Sequence, residues 1–117
     1  MDNSDCVFCN IINRNIASSN IINESDDIIV IQDIMPKAPT HLLILPKQHI
    51  ESINNLTGEQ AGLAGALIMT AKEMAKKFNV SDSGYKLVFN VGKHGGQTVK
   101  HVHLHMLGGK QLAELEA

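Results

Sequence analysis

Three histidines spaced by single residues, His101, His103 and His105, follow a glycine-rich stretch, and they are the side chains of this sequence best suited to chemistry. On a β-strand successive side chains point to opposite faces, so the three imidazoles share one face and Val102, Leu104 and Met106 the other. Imidazole titrates near neutral pH, so such a row supplies nucleophiles, proton donors and acceptors, or metal ligands. Just upstream, Gly95-Gly96 permits close backbone approach and positive φ, as suits a loop whose N–H groups face an anion. A phosphate beside a row of histidines is the first expectation, and a metal site made of the three is its competitor. His94, at the loop tip, receives no role.

Cys6 and Cys9 are the only cysteines. They are too close to staple a fold, and in a reducing compartment such a pair binds metal or does redox chemistry. A Cys-x-x-Cys supplies two of the four ligands of a tetrahedral zinc and here lacks a second nearby pair, so two histidines must complete the set. A thioredoxin-like motif is disfavoured because no strand precedes it.

These residues must be positioned by one domain. With 117 residues, 44% hydrophobic and 19% charged, and a formal charge of −2, the chain reads as a single soluble unit. Its ten Lys and Arg form no dense run, which argues against a nucleic-acid partner. No apolar run suits a secretory signal or a membrane span, so no membrane partner and a cytoplasmic location are expected. Val7, Phe8, Ile11 and Ile12 are spaced for a short amphipathic helix within 6–14. Ile28–Ile31 and Leu42–Leu45 read as strands joined by a rigid connector carrying Pro36 and Pro39. Thr57 with Gln60 fits a capping box that opens a helix running to about Phe78. Residues 61–69 are apolar all round, which implies burial on two sides, by the chain itself or by a second copy through Gly62, Gly65, Ala66 and Met69. Residues 85–91 and 99–107 supply further strands. The class is α+β with a mainly antiparallel sheet.

His101-Val102-His103-Leu104-His105-Met106-Leu107 has the pattern of the histidine triad, and the chain resembles the HIT (histidine triad) superfamily of nucleotide hydrolases and transferases. Asn90, Gly95 to Val99, His41 to His49 and Cys6 to Ile12 look like family landmarks in the same order. The Leu107-Gly108-Gly109 ending resembles the Hint branch, in a zinc-binding bacterial-type form. The resemblance implies a single HIT domain over 1–117, with a core of about 5–109 and a tail at 110–117. It also implies a five-stranded antiparallel sheet, one long and one or two short helices, and a homodimer. The implied activity is an enzyme's: hydrolysis of purine nucleoside phosphoramidates and related nucleoside monophosphate conjugates, with no catalytic cofactor. A dinucleoside polyphosphate hydrolase and a nucleotide-binding module with little turnover are the alternatives.

In the resemblance His103 is the nucleophile, forming a nucleotidyl-histidine that water later opens. Its other nitrogen must stay protonated against a nearby main-chain carbonyl. His105 and Thr98 bind phosphoryl oxygens and assist the leaving amine, with N–H groups at Gly96 and Gln97 complementing charge. His41 orients the triad, His101 completes it, and Asn90 bonds near the phosphate or sugar. Asp33, at a strand end before the rigid loop, can accept two hydrogen bonds from a ribose diol. The family match puts Ile16, Ile31 and Ile34 around the purine. It also implies that His49 and His101 join Cys6 and Cys9 around a structural zinc. Thr98 stands where many Hint relatives carry serine, and the tail lacks the tryptophan-proline ending of animal relatives.

Overall fold

A computed structural model describes residues 5–14 and 20–115 of the chain. Ile16, expected near a purine, lies outside the described residues. Two α-helices and five strands follow in the order α1 (Val7–Ile12), β1 (Ile21–Glu24), β2 (Ile28–Gln32), β3 (Thr40–Pro46), α2 (Ala61–Lys77), β4 (Tyr85–Phe89) and β5 (Leu104–Gly108). Every ladder is antiparallel and the strand order is β1-β2-β3-β5-β4. The α+β expectation therefore holds, with one long helix.

Both faces of the central strands are covered, which is why β2 and β3 read as unbroken apolar runs rather than as alternating ones. Ile28, Val30, Leu42, Ile44, Leu104 and Met106 pack on one face with Leu67, Ala71, Met74 and Ala75 of α2. Ile29, Ile31, Leu43 and Leu45 pack on the other with Phe8 of α1. Leu42 and Ile44 are fully buried, and each contributes on the order of 2 kcal/mol through its burial. The period of two puts His41, His103 and His105 on the α1 side, opposite the long helix.

The structure departs from the sequence reading in three places. Residues 21–24 form a strand that patterning missed, because four residues with two polar ones carry no readable period; this edge pairs with β2 alone among the described strands. The last strand begins at Leu104, not Val99, so His101 and His103 precede the sheet ladder instead of lying in it. The long helix opens with a separate 3-10 turn at Gly58–Gln60 before α2 starts at Ala61, since the tighter turn is a common way to enter a helix. Gln60 does reach back, its Oε1 accepting the Thr57 N–H at 2.9 Å. Ile68 and Met69 on α2 are about half exposed, at 47% and 54%. Gly62 and Gly65 are also exposed, so the described residues cover only one side of this helix.

Candidate active site and metal cluster

The geometry sorts the histidines by the partner of each ring nitrogen. His103 is buried, and its Nδ1 lies 2.7 Å from the His101 main-chain carbonyl. A carbonyl only accepts, so Nδ1 carries the proton and Nε2 keeps its lone pair. Burial lowers the pKa of His103, against the opposing pull of that hydrogen bond and of Asp33, and keeps the ring neutral.

His41 and His105 form a second chain of assigned protons. The Lys37 N–H donates to His41 Nδ1 at 3.1 Å, which places the His41 proton on Nε2. That Nε2–H points at His105 Nδ1, 2.9 Å away, with Asp33 Oδ2 at 3.3 Å. His105 then holds its own proton on Nε2. Burial lowers the pKa of His41, and burial with the neighbouring His103 and His41 brings His105 down to about 4. Because His41 is neutral, its contact with Asp33 is a polar contact rather than an ion pair. The His103 and His105 rings stand 5.0 Å apart between centroids.

Beside them a cavity of about 250 Å³ is lined by Lys37, His41, Val88, Asn90, Gly96, Thr98, His105 and Leu107. It brings together Asn90, Gly96, Thr98, His41 and His105 from the sequence reading. Lys37, Val88 and Leu107 were missed: Leu107 shares the face of His105 by the same period of two, whereas only strand register could have found Val88, which pairs with His105. The loop that closes the cavity consumes its own donors. Gly96 N–H donates to Lys93 O at 3.1 Å and Gln97 N–H to Gly92 O at 3.0 Å, so the expectation that these amides face an anion is corrected. The Gln97 side chain is a strut: its Oε1 accepts from Gly92 N–H, while its Nε2 donates to Glu51 O and Val99 O. Asn90 Nδ2 donates to Gly95 O at 2.8 Å. Asp33 uses Oδ1 to accept the Met35 N–H at 2.9 Å. Ile31 is buried in the α1-side core, whereas Ile34 is 80% exposed.

A Cβ on Gly95 would sit 2.3 Å from Val91 O and 2.8 Å from Val91 N, against backbone that cannot yield. Gly95→Ala is therefore expected to displace the loop and the Asn90 bond. Turnover should drop about a hundredfold, with little change in melting temperature because the loop is exposed; steady-state kinetics and a thermal melt check both.

His101, three residues before β5 begins, belongs to a second cluster. Cys6 and Cys9 of the α1 end meet His49 and His101 with all four ligand atoms within 4.8 Å of one another. Cys9 Sγ lies 3.2 Å from His49 Nδ1 and 3.6 Å from His101 Nδ1, and Cys6 Sγ lies 3.4 Å from His101 Nδ1. A tetrahedral zinc with Zn–S of about 2.3 Å and Zn–N of about 2.0–2.1 Å requires N···S separations near 3.5 Å. The four residues fit that requirement. His101 Nε2–H donates to Pro46 O at 2.8 Å, leaving Nδ1 bare toward the sulfurs, as a metal-binding imidazole is usually held. Burial and the adjacent Cys6 push the Cys9 thiol up to about 11, the reverse of the lowered thiol of a redox motif.

Asp33, His41 and His105 also lie close enough to hold an ion, but the Lys37 N–H on His41 Nδ1 puts a proton on the nitrogen that would have to bind it. That trio is a hydrogen-bond chain.

The buried neutral histidines also set a pH dependence. Burial brings His101, like His105, to about 4, and His41 and His103 are lowered too. Unfolded histidines protonate near pH 6.5, so below that the unfolded chain binds more protons than the folded one. Stability is expected to be full above about pH 6.5 and to fall as pH drops toward about 4. Urea midpoints of chelated protein across that window check it, and midpoints that rise on acidification would contradict it.

A family model described as "Scavenger mRNA decapping enzyme C-term binding" matches residues 5–116. A purine nucleoside phosphoramidase of Escherichia coli K12 is 37% identical over 113 residues, spanning 97% of this chain and 94% of that protein. Among solved structures, a HIT family hydrolase from Legionella pneumophila Philadelphia 1 is 43% identical with a TM-score of 0.91, covering 94% of this chain and 97% of that one. A histidine triad protein from Clostridium difficile is 34% identical with a TM-score of 0.93, covering 99% of this chain and 100% of that one.

Proposed function

This chain belongs to the HIT family of hydrolases, and on that footing we propose that it hydrolyses purine nucleoside phosphoramidates and related nucleoside monophosphate conjugates through a nucleotidyl-His103 intermediate. One observation carries the reading: His103 is neutral, its Nδ1–H is tied to the His101 carbonyl, and its Nε2 lone pair is left for attack. The attacking nitrogen bonds to phosphorus while the phosphorus–amine bond breaks, and the departing nitrogen takes up a proton from solvent, which the water of the second step returns. The His101 carbonyl then faces the positive charge that the phosphorylated ring acquires. His105 Nε2–H and the Thr98 hydroxyl serve the phosphoryl oxygens and the departing amine, and His41 keeps His105 in that tautomer. Water next opens the phosphorus–nitrogen bond, releasing the nucleoside monophosphate and restoring His103.

Asp33 takes the ribose diol on its remaining lone pairs, with Ile34 as the open apolar surface for the base and Ile31 as buried backing. Asn90, Gly96 and Gln97 shape the phosphate side. Zinc is the ion assigned to Cys6, Cys9, His49 and His101, where it would organise structure and supply no step of the reaction. A homodimer covers the exposed side of α2, a reading supported by Ile68, Met69, Gly62 and Gly65 lying open there. Light scattering at micromolar concentration should show twice the chain mass, and a monomer would refute the dimer.

The activity is tested with adenosine phosphoramidate and a panel of amine leaving groups, following adenosine monophosphate release. Turnover by the native chain is expected. His105→Ala should cost about 10²–10⁴-fold, most for the poorest leaving groups. No release from any member of the panel would remove the proposal.

A further inference from the structure

His101 belongs to two centres at once. Its ring Nδ1 faces the sulfurs of Cys6 and Cys9, its Nε2–H donates to Pro46 O, and its main-chain carbonyl accepts the His103 Nδ1–H. That carbonyl lies outside the sheet, because the ladders on both sides of β5 end at Leu104, opposite Ile44 and Phe89. A carbonyl inside a ladder is fixed by neighbouring strands. The one at His101 is fixed by local ties instead: its own N–H to Val99 O at 2.9 Å, the Val102 N–H to Ile50 O at 2.7 Å, and the ring. Phe8, beside Cys9, stands edge-on against both the His101 and His103 rings, at 5.8 and 5.1 Å. The end of β3 contributes Pro46 O and the segment after it Ile50 O and His49, so nucleophile and metal cluster rest on one support.

We propose that the Cys6, Cys9, His49 and His101 metal centre positions the nucleophile: filled, it fixes the direction of the His101 carbonyl and so decides which nitrogen of His103 carries the proton. With a metal on Nδ1 and Pro46 O on Nε2, the His101 ring is pinned at both ends. Without the metal, Nδ1 faces only thiols, which are weak donors. The ring can then turn, the carbonyl shifts, and the His103 proton is free to occupy either nitrogen. Only the Nδ1–H form leaves Nε2 able to attack. Cys6, Cys9 and His49 are on this account positioning residues, since they act through His101. The kinetic consequence rests on the proposed nucleotidyl transfer, but the tautomer does not.

Nitrogen-15 NMR of histidine-labelled protein, with His103 assigned by the signals lost in His103→Ala, reads the tautomer without substrate. Zinc-loaded protein should show His103 with a protonated Nδ1 and a bare Nε2. After chelation the two signals should move toward each other while far-ultraviolet circular dichroism keeps its sheet and helix signal, and zinc should restore them. Formation of the nucleotidylated His103 from adenosine phosphoramidate should slow about 10–100-fold on chelation. His49→Cys, which keeps four metal ligands, should retain the zinc-loaded tautomer. If chelation unfolds the chain, cadmium-loaded protein takes its place, because the larger ion moves His101 and should shift the His103 signals. Identical His103 ring signals with and without zinc, or with zinc and cadmium where the metal-free chain unfolds, overturn the proposal. A zinc-loaded protein with the fixed tautomer but no turnover refutes the hydrolase reading and leaves this one standing.

Discussion

His103→Ala is expected to reduce release of adenosine monophosphate from adenosine phosphoramidate by about 10⁴-fold or more, and to abolish the covalent adduct that mass spectrometry of quenched native enzyme should reveal. The size follows from what is lost. In the proposed reaction the native ring divides one difficult displacement into two easier ones, and among the described residues no other histidine on the α1 face offers a bare nitrogen in its place. His101 has both ring nitrogens directed elsewhere, to Pro46 O and to the sulfurs. His105 Nδ1 is engaged with His41, which leaves only an N–H on its other nitrogen. Nucleotide affinity should change far less, because the cavity walls at Asn90, Gly96 and Thr98 are untouched. Equal rates for the native and variant chains would end the enzyme reading and leave a binding module.

Removing with a chelator the zinc proposed for Cys6, Cys9, His49 and His101 is expected to produce the second large effect, on stability. An ion that binds the folded chain and not the unfolded one stabilises by about 4 kcal/mol when present at a thousandfold excess over its dissociation constant. For a domain of this size that corresponds to a fall of about 15 °C in melting temperature once the metal is removed. Two structural features concentrate the loss at one end. Cys6 and Cys9 hold α1, which has only six residues and buries only Phe8 and Cys9. A helix so short has almost no stability of its own. The sheet and α2 have a separate core, so a folded remainder should persist. A scan with and without chelator checks this, and an unchanged midpoint with zinc present in the purified protein would contradict it.

Much of the fold was legible from pattern. The β-branched run at Ile28–Ile31 and the Pro46 stop are local signals, and their strands appear where those signals stand, while the capping box at Thr57 and Gln60 marks the 3-10 turn that leads into the long helix. The edge strand at Ile21–Glu24 was not legible, because an edge makes few contacts and four residues cannot display a period. The start of β5 was misplaced for a related reason: alternation from Val99 onward continues through residues whose hydrogen bonds go to Ile50 and Val99 rather than to a neighbouring strand.

By itself the sequence determined the chemical inventory of the site: three imidazoles on one face, a paired cysteine motif short of two ligands, and a glycine loop before them. Those follow from residue type and from periodicity, which are properties of the chain. Tertiary structure alone decided which nitrogen of each histidine is free, since a tautomer is set by the group opposite it. His103 meets the carbonyl two residues back, His41 meets the Lys37 amide, and His101 meets Pro46, 55 residues away. It also decided that the Gly96 and Gln97 amides close the turn instead of facing a ligand, because a donor used at 3.0–3.1 Å within the loop is not available to an anion. The three histidines that share one spacing in the sequence are made unequal by the partners the fold brings to them.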